Sequence, residues 1–116
     1  MAGAPYLTWK AIDEAFDRAC ARNPYYAEQY RELQADLRVR EQERRESFEF
    51  GTAEYSRFSH EYIIPIYREM DRISTMIRCR HSQKYLTDDG VCRKCGAEVW
   101  RNLDVSHASI IAEIPA

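Results

Sequence analysis

The chain has 116 residues, a formal net charge of −2 and charged side chains at 31% of its positions. This length suits one compact domain, or a helical domain with a small appendage. The near-neutral, mixed charge excludes a strongly basic nucleic-acid coat protein, and no apolar run approaches the length of a membrane span.

A first helix is predicted over residues 9–22, where apolar residues recur every three or four positions. Thr8 is a suitable N-cap residue for it. Asn23-Pro24 then combines an N-cap residue with a proline at the first helical position. We therefore expect one helix to end and the next to begin at Asn23.

The second predicted helix, over residues 24–49, has an apolar stripe in its first half. Residues 38–46 are almost wholly charged and alternate in sign, which is typical of a solvated helix face. The stripe consists of Tyr26, Tyr30, Leu33 and Leu37.

The third predicted helix covers residues 53–78, after Gly51 and with Thr52 as its cap. Pro65 lies inside it, so a kink or break is expected near Tyr62. Gly51 allows the second and third helices to form an antiparallel hairpin, which the first helix completes as a three-helix bundle over residues 1–78.

A metal-binding pattern follows the third helix, with the spacing C-x-H, ten residues, C-x-x-C-G. Thiolate sulfur and imidazole nitrogen are the ligands that Zn²⁺ prefers, and four of them close a tetrahedral site. Gly96 suits the turn after the last cysteine, because this position often requires a positive φ. Four protein ligands predict a structural zinc ion. The predicted ligands are Cys79, His81, Cys92 and Cys95.

The chain between the two half-sites carries a strong turn signal, Asp88-Asp89-Gly90. The residues on either side, 84–87 and 97–100, are typical of short strands. We therefore expect residues 79–101 to form a zinc-bound β-hairpin at the C-terminal end of a mostly α protein.

The cysteines have three alternative interpretations. They are a disulfide between Cys92 and Cys95, a thioredoxin-like redox pair, and cysteines that are unrelated to each other. A redox C-x-x-C usually opens a helix, whereas a glycine and a strand-like run follow here. If Cys79 or His81 were not a ligand, the zinc ion would keep an open, catalytic position.

The segment from Cys79 to Trp100 resembles the zinc-binding segments of small zinc-ribbon and treble-clef proteins, including bacteriophage proteins. The resemblance covers about a fifth of the chain and rests on C-x-H followed by Asp-Gly-x-Cys-x-x-Cys-Gly. It implies a zinc module without implying a specific activity.

The first functional hypothesis is a non-enzymatic protein-interaction or assembly protein. A heavy aromatic load, a long apolar stripe on the third helix and an apolar C-terminal tail or strand over residues 102–116 all favour a protein partner or self-association. A bacteriophage virion component or a binder of a host complex would fit the resemblance. The interface candidates are Tyr62, Ile66, Met70, Ile73, Ile110 and Ile111.

The alternative hypothesis is a nucleic-acid-binding zinc module. Residues 78–101 contain six basic and three acidic side chains, and the rest of the chain contains eleven basic and sixteen acidic ones. A basic tip on an acidic body is suited to phosphate. The candidate contacts are Arg78, Arg80, Lys84, Arg93, Lys94 and Arg101.

No catalytic motif is present in the sequence, so neither an enzyme nor a small-molecule substrate is expected. Residues 1–8 have neither the basic region nor the apolar core of a signal peptide. Thiols that bind zinc suit a reducing compartment. We therefore expect the cytoplasm, or the host cytoplasm or virion for a bacteriophage protein, without membrane association.

Overall fold

Four α-helices make up most of the computed structural model, which describes residues 8–103. A π-helical segment, Ser59–Ile63, joins α3 to α4, and a 3₁₀ turn, Gln83–Tyr85, follows α4. The prediction of a mostly α protein is confirmed. The helices are α1 (Trp9–Arg22), α2 (Pro24–Ser47), α3 (Ala53–Phe58) and α4 (Ile64–Arg78).

Two threonine side chains cap helices at the positions that the sequence indicates. Thr8 Oγ1 accepts a hydrogen bond from the N–H of Ala11 at 3.1 Å, at the start of α1. Thr52 Oγ1 accepts one from the N–H of Tyr55 at 3.2 Å, at the start of α3. Each bond satisfies one of the N–H groups that the first helical turn leaves without a partner.

Helices α2 and α4 pack against each other as an antiparallel pair. Near the α2–α3 turn, Arg44 Nη1 donates to Ser59 Oγ at 2.8 Å. At the opposite end, Asn23 Nδ2 donates to the carbonyl of Ile77 at 2.9 Å. Because α1 packs against both helices, the three together form a bundle.

A π-helical turn immediately precedes Pro65 in the long segment that ends at Arg78. Proline has no N–H to donate to the carbonyl four residues earlier, and its ring needs room at that carbonyl. The wider π-helical geometry of Ser59–Ile63 provides this room without ending the helix. A kink or break is what the sequence predicts at this point, near Tyr62.

The predicted β-hairpin over residues 79–101 is wrong in its secondary structure. Residues 8–103 contain no β-strand, and their only bridges are two isolated ones, Leu86 with Cys92 and Val91 with Glu98. The stretch expected to form the first strand begins in the 3₁₀ turn, and the stretch expected to form the second ends in a helical turn at Trp100.

The cross-chain backbone bonds of this segment form single bridges instead of a continuous ladder. The N–H of Cys92 donates to the carbonyl of Ala97 at 2.8 Å, and the N–H of Arg93 donates to that of Tyr85 at 2.8 Å. Each extended run is therefore only one or two residues long before the chain turns again. This repeated turning brings distant ligands to one point.

The chain reversal does occur at Asp88-Asp89-Gly90. The N–H of Gly90 donates to the carbonyl of Thr87 at 3.0 Å, and the N–H of Thr87 donates to that of Val91 at 2.9 Å. Gly90 has φ of +76°, and a Cβ there would lie 3.2 Å from Cδ1 of Trp100. Only glycine fits this turn without strain.

The core has two clusters along the helical pair. The cluster near the α2–α3 turn consists of Leu37, Ile63, Ile66 and Met70. The cluster at the opposite end consists of Ala19, Tyr26, Ile73, Met76, Ile77 and Ala97. Since Ala97 belongs to the C-terminal segment, that segment shares a core with the helices. Within residues 8–103, no helix has both the length and the hydrophobicity needed to cross a bilayer.

Candidate metal centre

Three cysteines and one histidine converge at the end of the bundle where α4 ends. One ligand atom from each of Cys79, His81, Cys92 and Cys95 lies within 4.8 Å of all the others. Cys92 is buried, and the other three side chains are partly exposed. The cluster can hold a metal ion, in agreement with the predicted set of ligands.

The first two ligands are placed by the end of α4. The N–H of Cys79 still donates to the carbonyl of Thr75 at 3.1 Å, but its own backbone is extended, with φ −68° and ψ 139°. His81, two residues later, has φ of +52°. This left-handed conformation is uncommon for a residue other than glycine, and it turns the chain back towards the bundle.

The second two ligands lie in a tight turn. The N–H of Gly96 donates to the carbonyl of Cys92 at 2.7 Å, and Gly96 has φ of +82°, as the sequence predicts. The N–H of Ala97 lies 3.4 Å from Sγ of Cys95 and donates to it. A hydrogen bond from a backbone N–H stabilises negative charge on sulfur, which favours the thiolate that binds metal.

Two of the six separations between ligand atoms are close to those of a tetrahedral site, and all six are within 4.8 Å. Cys79 Sγ and Cys92 Sγ are 3.8 Å apart, and Cys95 Sγ and His81 Nδ1 are 3.4 Å apart. Metal–ligand bonds of about 2.3 Å to sulfur and about 2.1 Å to nitrogen give tetrahedral edges of about 3.8 Å and about 3.6 Å. The donor set and its spacing therefore fit a single ion.

Asn23 fixes the orientation of the histidine ligand. Its Nδ2 donates to the carbonyls of Ala19 at 3.0 Å and Ile77 at 2.9 Å, so its Oδ1 must face the other way. That oxygen lies 2.8 Å from His81 Nε2, which must therefore carry the proton. The lone pair of Nδ1 is left to face the thiols.

Asn102 completes this buried network. Its Nδ2 donates to Oδ1 of Asn23 at 3.0 Å, and its Oδ1 accepts from the N–H of Tyr25 at 3.2 Å. Asn23 is 1% exposed and Asn102 is 8% exposed. Every buried side-chain nitrogen and oxygen atom of the described residues has a hydrogen-bond partner, as a stable buried polar network requires.

The C-terminal segment is also anchored to α2 through Tyr26. The Tyr26 hydroxyl accepts a hydrogen bond from the N–H of Glu98 at 2.7 Å, and burial raises the pKa of this hydroxyl. Ala97, beside Glu98, is fully buried among the core residues. The segment that carries Cys92 and Cys95 therefore cannot move away from the helices without exposing part of the core.

The protonation chemistry of the site favours a bound cation. Burial and, to a smaller extent, the neighbouring thiols of Cys92 and Cys79 together raise the pKa of the Cys95 thiol to about 12. Burial also acts to raise the pKa of Cys92, but hydrogen bonds from the backbone of Cys95 and Lys94, together with those from the thiols of Cys95 and Cys79, outweigh it and lower that pKa. Several thiolates this close require a positive ion between them.

Burial lowers the pKa of His81, and the nearby charge of Arg22 lowers it further. The neutral imidazole is the form that binds metal. The environment of His81 thus favours the protonation state that coordination needs.

The side chains proposed to contact nucleic acid lie around the metal centre. Five of them are exposed, and Arg101 is partly buried against Glu98, with Nε 2.6 Å from Oε2 of the carboxylate. Arg101 also lies over the rings of Tyr25 and Trp100. The five exposed side chains are Arg78, Arg80, Lys84, Arg93 and Lys94.

The structure corrects half of the proposed protein interface. Ile66 is 8% exposed, Met70 is 9% exposed and Ile73 is 1% exposed, and all three pack in the core of this chain. The apolar residues recur every three or four positions because this face of the helix packs against α2. The sequence alone does not distinguish such a face from one that is free to bind a partner. Tyr62 is 39% exposed, and Ile110 and Ile111 lie outside the described residues.

Sequence analysis missed the two asparagines that organise the site. Asn23 was interpreted as a helix cap, but its side chain makes no capping hydrogen bond and binds His81 and Asn102 instead. Asn-Pro is an ordinary helix-start signal, so the sequence does not distinguish this role of Asn23 from capping. Nothing in the sequence indicates a role for Asn102.

Comparisons with protein-family models, with curated protein sequences and with solved structures give no match for this chain.

Proposed function

We propose that the Cys79–His81–Cys92–Cys95 site holds one Zn²⁺ ion. Three thiolates and one imidazole are a donor set that selects zinc over the oxygen-preferring Mg²⁺ and Ca²⁺. The 3.8 Å and 3.4 Å separations between ligand atoms support tetrahedral geometry. Zinc has no geometric preference of its own to oppose this arrangement.

The zinc ion has a structural role in this proposal. Four protein ligands fill a tetrahedron and leave no position for water or substrate. The ion would join the end of α4 to the turn that contains Cys92 and Cys95, and Asn23 would hold the histidine ligand in place. The site would thereby keep Ala97 in the core.

We infer that the protein is a non-enzymatic protein-interaction module. The observation that carries this inference is an aromatic surface at the α2–α3 turn, far along the bundle from the zinc site. We call it the aromatic tip, and it consists of Phe48, Phe50, Tyr55, Phe58 and Tyr62.

The rings of the aromatic tip contact one another in two groups, one of Phe50 with Tyr55 and the other of Phe58 with Phe48 and Tyr62. The ring centroids are 5.2 Å apart for Phe50 and Tyr55, and 4.9 Å apart for Phe58 and Tyr62. Phe50 is nevertheless 83% exposed. An aromatic side chain this exposed gains its burial only when a partner covers it.

Two arginines of α2 lie against the same rings. The guanidinium carbon of Arg44 is 4.5 Å from the centroid of the Tyr55 ring, and that of Arg40 is 4.8 Å from the centroid of Tyr62. Tyrosine and arginine are the residues that most often dominate binding energy at protein interfaces. This composition favours a protein partner, and a second copy of the chain is the partner we test.

The test is sedimentation of the zinc-loaded protein over a wide range of concentration. Phe50→Ser should weaken self-association, because it removes the most exposed ring of the tip. Trp9→Ser is the matched control, since Trp9 is 82% exposed and lies on α1, away from the tip. A monomer at all concentrations, or equal effects of the two changes, would contradict the inference. Bacteriophage origin remains a prediction from the resemblance.

A further inference from the structure

A groove of about 540 Å³ runs beside the metal centre, between the end of α4 and the 3₁₀ turn. Its lining includes the metal ligands Cys79, His81 and Cys95. Three cationic side chains also line it, and no carboxylate does. The three are Arg78, Arg80 and Lys94.

The positive charge of the groove exceeds what the metal centre can neutralise. Zinc with three thiolates and a neutral imidazole has a formal charge of about −1. Among residues 8–103, no ion pair joins Arg78, Arg80 or Lys94 to an acidic side chain. Glu98, the acidic residue nearest to Lys94 in sequence, pairs with Arg101 instead. A positive surface therefore remains.

An aromatic ring lies in the groove with cations on it. Tyr85 lines the groove, and the ammonium groups of Lys84 and Lys94 are 5.1 Å and 5.6 Å from the centroid of its ring. A planar base that stacks on this ring would take the place of an ammonium group, which could then contact the phosphate of that nucleotide.

A second groove, of about 340 Å³, continues from the first along α1. The two share Arg78 and Arg80 in their linings, so they meet at these residues. The second adds Arg22 and the ring of Phe16, over which the Arg78 guanidinium carbon lies at 5.1 Å from the centroid. No acidic side chain lines it either.

We propose that this double groove binds single-stranded nucleic acid. Alternation of cationic groups with aromatic rings matches the alternation of phosphates and bases in a single strand. A duplex would bring phosphates close to a wider area of the protein surface. The sixteen acidic side chains outside residues 78–101 would repel those phosphates. An acidic peptide would use the cations but would make no use of the two rings.

The groove goes beyond the proposed protein interaction and lies on a different surface from the aromatic tip. It depends on the proposed function only through the zinc-held segment that forms one wall. Zinc content is therefore measured on every sample used in the binding test. A sample without zinc would count against the proposed metal site, whereas a zinc-loaded sample that does not bind would count against the groove.

The test is fluorescence anisotropy of a labelled oligothymidylate of about 12 nucleotides, a length within the range that single-strand sites cover. Neutralising about three phosphates predicts binding roughly 20-fold weaker when salt rises from about 50 to about 200 mM. The triple variant Arg78→Gln, Arg80→Gln, Lys94→Gln should lose both the binding and this salt dependence. No binding by the zinc-loaded protein at low salt would overturn the proposal.

A matched triple variant lowers the net charge by the same amount at positions outside the two grooves. Arg38→Gln, Arg45→Gln, Arg57→Gln removes three exposed arginines from α2 and α3, none of which lines either groove. This protein should bind the oligonucleotide as the unchanged protein does. Equal loss in both triple variants would show that overall charge alone decides binding, which overturns the groove.

The contribution of the aromatic ring is tested by Tyr85→Leu, which keeps an apolar side chain and all the cations. Loss of one stacked base predicts binding weaker by about 5- to 150-fold. An unchanged affinity, together with equally tight binding of a labelled poly-glutamate peptide, would overturn the proposal and indicate an acidic protein as the ligand.

Discussion

His81 Nε2 donates a hydrogen bond to Asn23 Oδ1 at 2.8 Å, across 58 positions of the sequence. The asparagine lies between α1 and α2, and the histidine lies beyond the end of α4. This one contact ties a metal ligand to the point where all three helices of the bundle meet. It makes the geometry of the metal centre depend on the helical packing.

The first prediction concerns this contact. Asn23→Ala should weaken zinc binding by about 10- to 100-fold, because partners that orient a metal-bound histidine typically contribute that much. It should also destabilise the fold by about 1–3 kcal/mol, since the carbonyls of Ala19 and Ile77 lose their buried donor. Competition with a chromophoric chelator measures the first effect, and urea unfolding measures the second.

A destabilised variant without contact to the site separates these two effects. Ile63→Ala removes a side chain that is 2% exposed and lies in the core cluster near the α2–α3 turn. It should lower stability by about 2–5 kcal/mol. Its zinc affinity, measured where the zinc-free protein stays folded, should remain unchanged. If Ile63→Ala weakened zinc binding as much as Asn23→Ala, the orienting role of Asn23 would be refuted.

The second prediction concerns removal of the metal. A chelator should lower the thermal unfolding temperature of the whole bundle, because Ala97 shares its core cluster with Ile73 and Ile77. Circular dichroism followed on heating measures this change. An identical transition with and without chelator would show that the site contributes nothing to folding.

The third prediction identifies the ligands among the four cysteines. Cys79→Ala should abolish stoichiometric zinc binding and the thiolate–metal absorption bands of the cobalt-substituted protein. Cys20→Ala is the matched control, since Cys20 is partly buried on α1 and is not one of the clustered donors. Elemental analysis should find one zinc per chain in this control. Retention of zinc by Cys79→Ala would remove Cys79 from the ligand set.

The fourth prediction compares two glycines with positive φ. Gly96→Ala and Gly51→Ala should each destabilise the protein by about 1–2 kcal/mol, the cost of a left-handed conformation for a residue with a Cβ. Gly96 has φ of +82° and Gly51 has φ of +87°. Only Gly96→Ala should also weaken zinc binding, because the N–H of Gly96 donates to the carbonyl of the ligand Cys92. Equal zinc affinities in the two variants would contradict this.

The fifth prediction concerns the role of the stripe on α4. Ile73→Ala should destabilise the protein by about 2–5 kcal/mol, because this side chain is 1% exposed. Ile12→Ala, at a position that is 37% exposed, should cost much less. Denaturant unfolding measures both. A small effect at Ile73 would indicate that it faces a partner instead of the core.

The sequence alone determined the features that depend on neighbouring residues. Helical periodicity, the threonine caps and the turn at Gly90 are local properties of the backbone and side chains. The four clustered side chains that can hold a metal ion belong to this class as well, because the spacing of C-x-H and C-x-x-C-G limits which atoms can meet at one ion. No family resemblance was needed to place Cys79, His81, Cys92 and Cys95.

Tertiary structure alone decided the features that depend on distant residues. The apolar stripe of α4 is the same in sequence whether it faces α2 or a partner, and packing assigns Ile66, Met70 and Ile73 to the core. The strand-like runs at residues 84–87 and 97–100 did not form strands, because their cross-chain bonds stop at isolated bridges before the chain turns again. Asn23 became a partner of His81 only because the bundle brings the two together. Local chemistry selects the ligands, and helical packing decides what orients them.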